Sequence, residues 1–288
     1  IWTVLEDFID NGMKLNDVGI RTGCGDDWLR IGGVKIFADG SIPGLTAALT
    51  EPYYCDADKT GDLIFTPEEL ERRFRRYHDA GFQVAVHANG DRCIQAVIDA
   101  FDAVLAASPR HDHRHRIEHL PMASDEHLER MARLGLVTTF YTAQIYGWGD
   151  RQRNRFLGPE RAARLYPTRT ARDLGIRFGL HGDCPVTPIS PLNCLYTAVA
   201  RETNSGHILG PDQRISVEDG LKALTIDAAY LAFEESIKGS IETGKLADFV
   251  VLSDDPCEMQ PTELRELAVE QTIIGGEFVY GANATDLP

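Results

Sequence analysis

The stretch TPEELERRFRRYHDAGFQVAVHANG (66–90) runs a capped helix straight into a β-branched run that stops at Asn-Gly, and the same grammar recurs down the chain. Thr66 is placed to cap the helix, Pro67 to open it and Gly81 to stop it. Short β-branched runs alternating with amphipathic helices are the pattern of parallel βα units. The other strands are GGVKIFADG (32–40), RIEHL (116–120), LVTTFY (136–141) and IRFGLHGD (176–183). Helices are expected over about 92–107, over 124–135 with Ser124 at the cap, near 159–174, over about 191–203 and over 215–233.

Five such strands fit an α/β fold, part of a TIM (β/α)8 barrel comprising about its last five βα units. The complete form needs eight strands and roughly 250 residues. Three strands are therefore expected before residue 1, and the sequence is expected to begin inside a longer protein. The opening IWTVLEDFID has no basic segment or cleavage site of a signal peptide and reads as the middle of a helix. After residue 236 the grammar changes. KGSIETGKLADFVVLSDDP (238–256) holds a turn and a buried strand, and TIIGGEFVYGA (272–282) reads as a hairpin around Gly275-Gly276. Residues 1–236 are thus expected to form an incomplete barrel domain, and residues 237–288 a small C-terminal β subdomain.

The formal net charge of -15 argues against nucleic acid and anionic membrane surfaces as partners. No stretch approaches the roughly 20 uninterrupted apolar residues of a membrane span. Cys24, Cys55, Cys93, Cys184, Cys194 and Cys257 are scattered without C-x-x-C spacing, which fits free thiols in a reducing, cytoplasmic compartment.

Chemistry in a barrel sits where strands end. Lys35 lies inside the first run with Asp39 at its exit; His87 and His119 end the next two; Tyr141, Thr142 and Gln144 follow the fourth; His181-Gly182-Asp183 ends the fifth. Each residue has a bland reading: a snorkelling lysine, a satisfied core histidine, a turn aspartate. A lysine between Val34 and Ile36 is costly to bury unpaired. It reads either as a Schiff-base nucleophile or as an amine that takes up carbon dioxide to become a bridging carbamate. Histidine and carboxylate converging from separate strands suit zinc or a similar divalent ion.

VKIFADGS, VHANGD, RIEH and GDCPV, in that order, resemble the amidohydrolase superfamily of metal-dependent hydrolases, family 3 branch. GSIETGKLADFVVLSDDP resembles the C-terminal part of that family's composite β-sandwich. The resemblance implies a carboxylated, metal-bridging Lys35, metal-binding His87 and His119, and Asp183 as both ligand and general base. It implies hydrolysis of C–N bonds in small, non-peptide amide-type substrates through a metal-activated water. One or two divalent ions, zinc first, are implied. Asp39, Ser41, Asn89, Tyr141 and Gln144 stand where the substrate pocket would be.

Two departures qualify this. No histidine precedes His78, so the family's His-x-His on the first barrel strand has no counterpart before Lys35. The family's Gly-Ser-Asp is His181-Gly182-Asp183 here, which makes His181 an extra polar group or a packed side chain. A full metal site would then need ligands absent from this sequence, with weak or single-site metal binding and an inactive chain as expectations. The open strand edges would pair in a homo-oligomer or with a complementing N-terminal segment. The alternatives are a non-catalytic fragment that keeps the fold, or a Schiff-base aldolase built on Lys35.

HDHRH (111–115) does not supply the His-x-His. At about 3.3 Å per strand residue, His113 lies roughly 20 Å and His115 roughly 13 Å behind His119. The three histidines read as a solvated loop at the opposite end of the strands.

Overall fold

The structure, a computed structural model, describes residues 2–5 and 11–281. In chain order the elements are β1 (Trp2–Leu5), α1 (Asn11–Asp17), β2 (Ile31–Phe37), α2 (Pro67–Asp79), β3 (Val84–Ala88), α3 (Asp91–Ala107), β4 (Arg116–His119), α4 (Asp125–Leu134) and β5 (Val137–Phe140). Then come α5 (Ala143–Arg151), α6 (Gly158–Ala162), α7 (Thr168–Asp173), β6 (Phe178–Leu180), α8 (Pro191–Ala200), α9 (Val217–Leu224) and α10 (Ile226–Leu231). The last three are β7 (Phe249–Leu252), β8 (Val269–Ile274) and β9 (Glu277–Tyr280). β1 to β6 form one parallel sheet in sequence order, and β7 to β9 a separate three-stranded sheet whose pairs are antiparallel.

The helices start and stop where local chemistry requires. Thr66 Oγ1 accepts from Glu69 N at 3.3 Å while Glu69 Oε2 accepts from Thr66 N at 3.0 Å, a reciprocal box that satisfies two orphan donors of α2. Ser124 and His127 close the same box on α4, which ends on Gly135 at φ 69. Val34, Ile36, Val84, Val86, Ile117, Phe140 and Phe178 pack in one core with Leu70, Phe74, Ile94, Val97, Phe101, Leu128 and Met131 from α2, α3 and α4. Every second strand residue therefore faces the helices, and the residues between them face the other way.

Several expectations change. Trp2–Leu5 is a strand, not helix: its backbone pairs in parallel with β2, Leu5 opposite Lys35, so the sheet has six strands rather than five. Residues 6–10 of that opening stretch lie outside the described residues. The helix expected over 215–233 breaks at Thr225, whose ψ of −93° ends α9 and starts α10. Finally, β7 was expected to be buried, yet Phe249, Val250 and Val251 are exposed. The hairpin at Gly275-Gly276 is as expected, with φ of 60° and 89°, the left-handed pair a two-residue turn demands.

The HDHRH stretch is the largest correction. His111 is exposed, but His113 and His115 are buried, together with His78 from α2. They lie before β4, away from the strand ends as expected, but they are core and not a solvated loop. His78 Nδ1 meets His115 Nε2 at 2.8 Å, and His115 stacks between Phe101 and His113 at centroid distances of 5.1 and 4.6 Å. Arg114, also buried, lies between the rings of Tyr230 and Phe233 and donates to Asp112 and Glu235. That clamp ties the segment after α10 to the start of β4.

Candidate metal centre

Parallel register sets the site. Phe37, His87, Glu118, Thr139 and Gly179 pair in one row across β2 to β6, on the face away from α2, α3 and α4. The row before it holds Lys35, Ala85, Arg116 and Val137. His119 pairs with Ala88 and Phe140, so alternation alone would aim it at the helices. Its φ of 72° turns it back. The ring now stands edge-on to His87 at 4.6 Å and 5.0 Å from His181. Left-handed backbone at a non-glycine residue costs energy and persists only where the surroundings enforce it. Asp183, at φ 51°, is a second such position in the same site.

His119, His181 and Asp183 each place a ligand atom within 4.8 Å of the others. Among the described residues, His119 Nδ1 and His181 Nε2 are buried without a hydrogen-bond partner. Buried polar atoms are normally paired, and orphaned ones cost about 1–3 kcal/mol each. Two imidazoles and a carboxylate whose ligand atoms lie within 4.8 Å of one another form a donor set suited to a divalent cation. The residues present therefore fit a metal ion.

His87 stands next to this trio but outside it, with Nε2 2.9 Å from the Gly40 carbonyl and 2.9 Å from Asn89 Nδ2. Lys35 makes no hydrogen bond or ion pair among the described residues; its ammonium sits 5.4 Å from the Phe37 ring centroid. Burial, opposed by the charges of Glu118 and Asp183, pulls the Lys35 pKa down. Burial and the neighbouring Lys35 charge push His87 down to about 4, and burial pushes His181 down to about 4. These imidazoles are neutral at pH 7, the form that binds metal. Burial raises the Asp183 carboxyl, and Lys35 works against it.

Glu118, which sequence reasoning passed over, is buried here. It accepts from Arg116 Nε at 2.9 Å and from the Thr139 hydroxyl. Although burial opposes ionisation, the charges of Arg116 and Lys35 hold its carboxyl well below the usual range. Its position one residue before a strand-end histidine, in the row shared with His87, was the available signal.

Ser41, His87, Asn89, His119, Tyr141, Gln144, Trp148 and Asp183 line a cavity of about 190 Å³. Four of the five expected pocket residues are thus on its wall, and Asp39 is not. The Asp39 carboxylate is spent on the backbone N–H groups of Ala48, Asn89 and Gly90 at 2.8–3.0 Å, which pins the loops after β2 and β3.

Residues 3–280 match the family model described as amidohydrolase family. The chain is 34% identical over 253 residues to an N-substituted formamide deformylase of Arthrobacter pascens, covering 88% of this chain and 46% of that protein. It is 32% identical over 260 residues to the protein YtcJ of Bacillus subtilis, covering 88% and 48%. An uncharacterized metal-dependent hydrolase of Pyrococcus horikoshii superposes with a TM-score of 0.78 at 28% identity, over 90% of this chain and 51% of that one. The chain spans about half the length of the relatives it matches. It belongs to the amidohydrolase family, in the family 3 branch recognised from its motifs.

Proposed function

From that membership we propose that the chain carries the metal centre and proton-transfer group of a hydrolase acting on C–N bonds of small, non-peptide amide-type molecules. The observation that supports this most is that His119, His181 and Asp183 each bring a ligand atom within 4.8 Å of the others, with His119 and Asp183 on the wall of a 190 Å³ cavity. His119, His181 and Asp183 would hold a divalent ion, zinc by donor type, with His87 beside them. Bound there, the ion supplies Lewis acidity, polarising a carbonyl and acidifying water. Asp183 accepts the proton of the attacking water on its carboxylate and returns it to the departing nitrogen. Lys35, half-buried and without a hydrogen bond or ion pair among the described residues, is the residue we propose becomes a carbamate.

On this reading the six-stranded sheet is part of a (β/α)8 barrel domain over residues 1–236, and residues 237–288 are part of a β-sandwich. None of the helices among the described residues is long and apolar enough to cross a membrane. The six free cysteines favour a cytoplasmic setting. β1 and β6 each have one neighbour in the sheet, and their open edges should pair in a homo-oligomer or with a complementing segment. A stable monomer by light scattering would contradict that pairing.

The amide chemistry is tested with N-benzylformamide, a formamide like those in the relative's name. Formate release by the protein carrying this chain should require a divalent metal and vanish in Asp183→Asn. Metal-independent release, or full activity in Asp183→Asn, overturns the proposal.

A further inference from the structure

We propose that Tyr166 and Gln152 lock the Gln144 side-chain amide in one orientation, so that Gln144 presents an N–H donor to the cavity and selects substrates with a hydrogen-bond acceptor there. This rests on the reading that the cavity binds a small carbonyl compound, and it adds which polarity the wall demands.

Gln144 Oε1 accepts from Gln152 Nε2 at 2.5 Å and also from the Tyr166 hydroxyl. Its amide nitrogen makes no hydrogen bond among the described residues, and the side chain lines the cavity. Oxygen and nitrogen of an amide are told apart by their partners, and here the partners decide. With Gln144 flipped, the Tyr166 O–H would face an amide donor in place of the acceptor it now has. Gln152 would have to flip with it, leaving its own N–H2 where Oε1 is now buried without a partner. That arrangement strands both N–H donors of Gln152, whereas the observed one strands a single acceptor, Gln152 Oε1, among the described residues. Stranding fewer buried groups is favoured by the cost of each.

The lock is held from behind. Tyr166 is fully buried, in left-handed backbone at φ 52°. Its carbonyl accepts from Arg201 Nη1 at 3.0 Å, and its N–H donates to Pro121 O at 2.8 Å. Arg201, itself fully buried, has no acidic partner among the described residues and spends its guanidinium on the carbonyls of Leu165, Tyr166 and Leu209. Gln152 opens a π-helical turn directly after α5, a local irregularity that recurs at functional sites. Tyr166 and Gln152 are positioning residues, and Gln144 is the group that would touch substrate.

The test uses two small probes on the metal-free chain with 15N-labelled glutamine. N,N-dimethylformamide offers an acceptor and no N–H, while pyrrole offers an N–H donor and no lone-pair acceptor. Dimethylformamide should shift the Gln144 side-chain NH2 resonances, assigned by their loss in Gln144→Glu, and pyrrole should not. In Tyr166→Phe the amide is free to turn, and the dimethylformamide-to-pyrrole affinity ratio should fall about tenfold, the equivalent of one neutral hydrogen bond. A purely structural role would weaken both probes together and leave the ratio unchanged. Gln152→Leu reads the same release if Tyr166→Phe does not fold. An unmoved Gln144 NH2 pair at every dimethylformamide concentration the folded chain tolerates overturns the proposal, as does an unchanged ratio. Neither probe is turned over under these conditions, so loss of hydrolase activity would count against the function above and not against this lock.

Discussion

His78 Nδ1 and His115 Nε2 lie 2.8 Å apart, inside a network that leaves no ring nitrogen of His78, His113 or His115 unpaired. His78 Nε2 faces the Ser108 carbonyl and His113 Nε2 the Leu134 carbonyl, so both must carry hydrogen there. His115 Nδ1 accepts from Val84 N–H and His113 Nδ1 from His115 N–H. All three rings are therefore neutral with hydrogen on Nε2, and a second proton on any of them would put donor against donor.

Acid should consequently loosen this core. Burial lowers all three pKa values from 6.5; the charges of Arg110 and Arg75 push the same way, against Asp79 and Asp112. The unfolded chain binds protons that the folded core refuses, so stability is full above about pH 6.5 and falls as the pH drops below it. Each excluded proton costs about 1.4 kcal/mol per pH unit. His87, His119 and His181 act in the same sense. The informative quantity is therefore the difference in urea midpoints between the chain and His115→Gln from pH 7 to 5. The His115→Gln curve should be the flatter one; parallel curves would contradict the network.

Asp39 should matter for folding of the site rather than for substrate contact. Asp39→Asn trades one of its two acceptor oxygens for a donor opposite a buried backbone N–H. The expected loss is about 1–3 kcal/mol, read as a lower urea midpoint. A variant as stable as the parent chain would show that the three N–H bonds contribute little.

For Lys35 the carbamate reading predicts a 13C resonance from the chain incubated with labelled bicarbonate, absent in Lys35→Ala. Borohydride with a carbonyl compound should leave Lys35 unmodified. Trapping of the carbonyl on Lys35, without a carbamate resonance, would favour the aldolase alternative.

Much of this architecture was legible because it rests on local rules. Thr66, Ser124 and Gly135 mark helix ends through backbone bonds made within a few residues, and the Gly275-Gly276 turn fixes its hairpin alone. β1 was not legible, because four residues acquire their state from pairing with β2. Burial of His113 and His115 was missed because it depends on α2 and α3, distant in sequence, closing over a polar run. The strand-end residues were found by position, but their grouping was not. His119 reaches His181 through one left-handed torsion, and no periodicity encodes a torsion. That is why His181, read as an extra polar group or a packed side chain, joins the trio, while Asp39, expected at the pocket, holds three backbone N–H groups.

The central claim is that His119, His181 and Asp183 form a metal-binding group in this chain. Zinc titration by calorimetry tests it most directly, with His111→Ala as the exposed control. One zinc ion per chain is expected, unaffected in His111→Ala. Removing a ligating imidazole should cost at least as much as the roughly 10–100-fold typical of outer-shell residues, so affinity should fall by that much or more in His119→Ala and in His181→Ala. No zinc binding, two tightly held ions, or an affinity indifferent to both substitutions would contradict the account.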